Sequence, residues 1–150
     1  MPRTQLAALA LAAVALASGC GGSSKATRLT SAELIAKADA ICARVHAEFH
    51  ANGYSSLQSM ALRAPRVAAD EQTGARELRE LTPPAAMADD WKQIVENAEA
   101  IAAETAKLGE DAKHDTLAEL TPMLNTGEQR DRRVLAIAAR DGFKQCAKAS

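Results

Sequence analysis

From Met87 to Leu108 one stripe recurs in strict alternation of four and three: Met87, Trp91, Ile94, Ala98, Ile101, Thr105, Leu108. That spacing returns to one side of an α-helix at every turn, and no β-strand can gather it on one face. Helix is therefore the building unit. The composition agrees, with 35 alanines against only ten Val and Ile residues together. A β-sandwich or barrel would want β-branched and aromatic side chains, and aromatics are 3% of the chain.

Three further segments carry related patterns. The first opens with Thr30 and Glu33 spaced as a capping box. Ile35, Ala38, Cys42, Val45 and Phe49 follow on one face, with Leu34 and Ile41 beside them, until Asn52-Gly53 stops the helix. The second starts near Ser55 or Ser56 and carries Leu57, Met60, Ala64 and Val67. Its stripe then passes through Glu71 and Gly74 to Leu78 and Leu81. Pro65 predicts a kink or break, because proline removes a backbone donor and crowds the preceding turn. Thr82-Pro83-Pro84 is a firm boundary; Pro84 stands near the first turn of the third segment, and Gly109 marks its end. The fourth has Asp115 as N-cap, an early kink at Pro122, and Gly142 at its end. Its stripe is Leu117, Leu120, Leu124, Gly127, Asp131, Val134 and Ala138. Four segments joined by short turns predict an all-α fold, an antiparallel up-down four-helix bundle over residues 30–150. The first and third, with unbroken stripes, are expected to form the rigid half of its core.

The start of the chain reads as an address. Arg3 precedes twelve apolar residues, Leu6 to Ala17, too few for a span of roughly 20 and suited to a signal peptide. Ala17-Ser18-Gly19-Cys20 followed by Gly21-Gly22-Ser23-Ser24 resembles a bacterial lipobox, with Ala17 where leucine is usual. The resemblance implies a signal peptide at 1–19 and a diacylglycerol, with acyl chains of the palmitate kind, on Cys20. Residues 20–29 then form a flexible tether, and the protein is lipid-anchored at the extracytoplasmic face of the cell membrane. Ordinary secretion after cleavage near Ala17 or Gly19 is the alternative. With Cys20 consumed, Cys42 and Cys146 remain as one even pair in an exported chain, expected as a disulfide. Such a bond closes a loop of about 100 residues, worth up to ~4.7 kcal/mol in the chain-entropy model; two buried free thiols are the alternative.

Ala38-Asp39-Ala40-Ile41-Cys42-Ala43, Leu81-Thr82-Pro83-Pro84 and Gly142-Phe143-x-x-Cys146 together resemble a group of small actinobacterial exported lipoproteins. That resemblance covers most of the mature chain. It implies a helical domain with paired cysteines, supports the Cys42–Cys146 pairing, and carries no catalytic residue or cofactor with it.

Chemistry-bearing residues are few. The formal charge of −1 leaves no basic footprint for nucleic acid, and the scarce aromatics leave no stacking platform. Phosphate loops, nucleophile elbows and H-E-x-x-H are missing from the sequence, as is the C-x-x-C-H of covalent haem, so neither an enzyme nor a cofactor is indicated. His46 and His50 stand four apart on the first helix, and His50 is expected near the same bundle end as His114, so the three are the candidates for an N/O metal set. Glu71 and Asp131 interrupt the stripes of the second and fourth helices at similar height. Beside Gly74 and Gly127 they predict a polar void suited to a cationic or hydrogen-bonding ligand. Rotation of those carboxylates to solvent, or a structural polar layer with Arg76, Arg130 or Arg132, is the plainer reading. The run Arg130 to Arg133 reads as a solvated helix face. The sequence thus points to a membrane-anchored binding or scaffolding module, its partner an envelope protein or a small ligand. The alternative is a metal-binding or metal-delivery protein using His46, His50 and His114.

Overall fold

A computed structural model describes residues 28–149. The segment expected as a signal peptide, Cys20 and most of the expected tether lie outside the described residues. The architecture is a four-helix bundle: α1 (Ser31–Asn52), α2 (Leu57–Glu80), α3 (Ala88–Asp111, entered through a 3-10 turn at Ala85–Met87) and α4 (Leu117–Arg140).

Local chemistry sets the boundaries. The Thr30 side chain accepts from the Glu33 amide, and Glu33 accepts in return from the Thr30 amide at 2.9 Å. Ser56 and Ser59 exchange the same pair of bonds at the start of α2. At α4 the capping box is Thr116 with Glu119, so the N-cap is one residue beyond the expected Asp115. Gly142 has φ +93°, and α4 closes there with Phe143 N–H donating to Ala138 C=O and Gly142 N–H to Ala139 C=O. This left-handed cap suits glycine and folds Phe143 back under the bundle.

Neither proline breaks its helix. Pro65 lies within a continuous α2 and Pro122 within a continuous α4. Each forfeits one backbone bond and keeps a helical φ, and tertiary contact holds the rest. Gly109 explains how Pro65 is housed. It does not end α3 but sits buried inside it, and a Cβ there would lie 2.9 Å from the Ala64 Cβ and 3.2 Å from the Pro65 ring.

The tightest helix pair is α2 with α3, not α1 with α3 as the unbroken stripes suggest. Small side chains explain it: Ala64, Ala68, Ala75, Ala102 and Gly109 are buried and let the two backbones approach closely. α1 packs on α2, and α4 on α3, each less extensively. One core cluster, with Leu34, Ala38, Leu78, Trp91, Ile94 and Ala138, fills the end where α1 begins. Phe143 stacks on Trp91 there at 5.8 Å between centroids. A smaller cluster of Leu108, Ala112 and Leu120 fills the other end, under Tyr54 and Leu57.

The last residues are bound to α1 twice over. Cys42 and Cys146 form a disulfide across a separation of 104 residues. One turn earlier, the Asp39 carboxylate accepts from the amides of Lys144 (2.9 Å), Gln145 (2.8 Å) and Cys146 (3.1 Å).

Candidate functional site

Between α1 and α4, above the α2–α3 seam, lies a cavity of about 470 Å³. Ile41, Val45 and Phe49 wall it from α1, and Met123, Leu124 and Leu135 from α4. Ala98 and Ile101 floor it, and the Cys146–Ala149 tail borders it. Gly74 and Gly127 both line it, beside Glu71 and Asp131 as expected, and the spacing of the outer helices opens it, not empty volume at the glycines alone. At Gly74 a Cβ would stand 2.5 Å from Val45 Cγ2, so that glycine admits α1 to α2 and leaves no hole. At Gly127 the Glu104 carboxylate already lies 3.0 Å from where a Cβ would be.

The polar groups inside the cavity are specific. Glu71, at 7% exposure, and Asp131, half-buried, both line it. Glu71 Oε2 and Asp131 Oδ1 are buried without a hydrogen-bond partner. Burial pushes the Glu71 carboxyl up to about 7; the Thr105 hydroxyl offsets part of this, and the charges of Asp131 and Asp70 add to it. Burial also raises Asp131, against the pull of Asn97 and Arg130. Tyr54 is pushed up by burial and by the Glu71 charge, with the Thr105 hydroxyl opposing. Tyr54, Glu71 and Thr105 all line the same cavity.

Arg130 is not part of a solvated face. Its guanidinium forks onto Glu104 of α3, with Nη2 at 2.7 Å from Oε2, and its Nε donates to Asn97 Oδ1 at 2.8 Å. Its hydrogen bonds to the Glu104 carboxylate raise its pKa. It stands 3.8 Å from Asp131 Oδ1, too far for a hydrogen bond. Arg132 pairs instead with Glu128 on its own helix.

No family model, curated protein or solved structure matches this chain. The site must therefore be read from its own chemistry.

The carboxylates of α2 and α4 do meet one cavity, and Cys42 with Cys146 is bonded at its edge. The histidines do not assemble. His46 faces the cavity, lowered in pKa by burial and by His50, while His50 and His114 are exposed. Among the described residues no group of three or more His, Cys, Asp or Glu side chains is placed to hold a metal ion. Sequence reasoning missed Asn97, Glu104, Thr105 and Tyr54. Asn97 follows Ile94 by three residues and Thr105 lies on the stripe itself, so a search for polar residues at core spacing would have found both.

Proposed function

We propose that the protein is a lipid-anchored binding module of the extracytoplasmic membrane face, holding a small molecule between α1 and α4. One observation carries the binding part: about 470 Å³ of largely apolar-walled space whose lining includes Glu71, a carboxylate with one buried oxygen that no protein group meets. Ligand pockets commonly run to ~300–1,000 Å³ with a few convergent polar groups. Leaving such an oxygen unpaired costs stability that a bound donor would recover.

The anchor rests on the sequence. The apolar run and Cys20 resemble a lipobox, and the three short motifs resemble small actinobacterial exported lipoproteins. No described helix is long and apolar enough to cross a membrane; the attachment proposed is acyl chain on Cys20.

Two measurements test the two halves. Protein purified from its own membranes should release a bound small molecule on denaturation, detected by mass spectrometry. Ile101→Trp, which fills the floor of the cavity, should release none while keeping its helicity. Equal release from both variants, or release from neither, rejects the cleft as a binding site. Wild-type protein should sediment with membranes and Cys20→Ala should not; an acylated, membrane-bound Cys20→Ala protein rejects the anchor.

A further inference from the structure

We propose that the ligand is a small organic ammonium ion with an apolar body, its N–H groups received by Glu71 and Asp131 and its body by the α1 and α4 walls. This rests on the reading of the cleft as a ligand site and adds the chemical class.

The argument is a census of charge around one space. Of the acids facing the cavity, Glu104 is taken by Arg130 and Glu128 by Arg132. The ammonium of Lys148 donates to the neutral amide of Gln145 at 2.8 Å, so its positive charge stays in place at the tail side of the cavity. His46 is held toward its neutral form by burial. What remains is the pair Glu71 and Asp131, each with a buried oxygen lacking a hydrogen-bond donor; Arg130, 3.8 Å from that of Asp131, offsets part of the Asp131 charge and none of the Glu71 charge. An ammonium group supplies both the charge and the donors these oxygens lack. A carboxylate or phosphate would bring further negative charge beside Asp131, Glu104 and Glu128, which disfavours it. The walls around them are alkyl and aromatic, so a bare inorganic cation would leave most of the cavity unfilled, whereas an alkyl or aryl body fills it.

A proton is exchanged in the process. Empty, the site keeps Glu71 largely protonated below its value of about 7. The arriving ammonium favours the ionised carboxylate, so binding releases that proton, and affinity rises with pH through this range. Protonation of His46 at low pH repels a cation and acts in the same sense, so the experiment must separate the two.

The test is calorimetric titration of the mature domain with decylamine, decanol and decanoate, which share one chain and differ in head group. Decylamine keeps its charge throughout, its amine pKa being about 10. It should bind about tenfold or more tighter at pH 8 than at pH 5.5. Decanol should bind more weakly and without that dependence, and decanoate should weaken as pH rises. Glu71→Gln should abolish the pH step, and Ile101→Trp should abolish binding of all three. Equal binding of decanol and decylamine at pH 8, with Ile101→Trp still blocking both, overturns the ammonium inference and leaves the cleft reading standing. A pH step that survives Glu71→Gln and disappears only on His46→Gln belongs to His46 and also overturns it; one that disappears on Asp131→Asn belongs to the second carboxylate and supports it. Decylamine that fails to bind overturns it whatever the membrane extraction shows. Phosphatidylethanolamine vesicles as competitor separate the sources: displacement assigns the ammonium to a lipid headgroup, and none assigns it to a free amine.

Discussion

Glu71 occupies a core position where an apolar side chain would pack at no electrostatic cost, and pH reports that cost. Its carboxyl titrates near the ordinary value of about 4.5 when unfolded and about 7 when folded. Between those values the folded state binds more protons than the unfolded state, so this group's contribution falls as pH rises, then levels off above about 7. The shift corresponds to about 3 kcal/mol. Glu71→Gln, neutral throughout, should lack the decline, so urea unfolding should show it gaining on wild type from pH 4.5 to 7. An equal stability difference at pH 5 and pH 8 would contradict the burial that sets this value. Glu71 and Asp131 were legible because each interrupts an apolar stripe. Arg130 was not: in a run of four charged residues nothing distinguishes the side chain that reaches across to the neighbouring helix.

At the scale of elements, periodicity showed which residues form helices, and short-range chemistry showed most of the ends. The misses have one cause. Pro65, Gly109 and Gly74 carry strong local signals, break, stop and void, and in each case a neighbouring helix decides what the signal means. Pro65 and Gly109 accommodate each other, and Gly74 accommodates Val45. Asp39 is the same kind of residue, polar and half-buried on the first helix, with its partners about 105 positions away. It caps the amides of the terminal turn as a helix N-cap would. Asp39→Ala should cost about 1.5–3 kcal/mol, the range for hydrogen bonds to a charged group. Hydrogen exchange should locate the loss at Lys144 to Cys146, with the disulfide intact. Unchanged protection of those amides would contradict the role given to Asp39.

For the whole molecule, the bundle was readable from four segments of similar length, but which helices pair closely was not. That choice depends on alanines and glycines that carry almost no pattern of their own. They draw α2 and α3 together and leave α1 and α4 apart, joined mainly at one end through Ala38, Ala138 and Phe143. The Cys42–Cys146 bond reinforces that end, and reduction should lower stability by about 2–5 kcal/mol, as for native bonds in small exported domains. Native protein should resist alkylation at both positions until reduced; ready labelling would refute the pairing. The arrangement also orders assembly in time. Contacts across the α2–α3 turn join residues close in sequence, whereas the two thiols must wait for the chain's extremities to meet. Closing a short loop costs less entropy than closing a long one. All three helix hairpins have short connections, and α2–α3 has the most extensive packing, so it is expected to form ahead of the Cys42–Cys146 closure, and oxidation then seals a topology already chosen by packing.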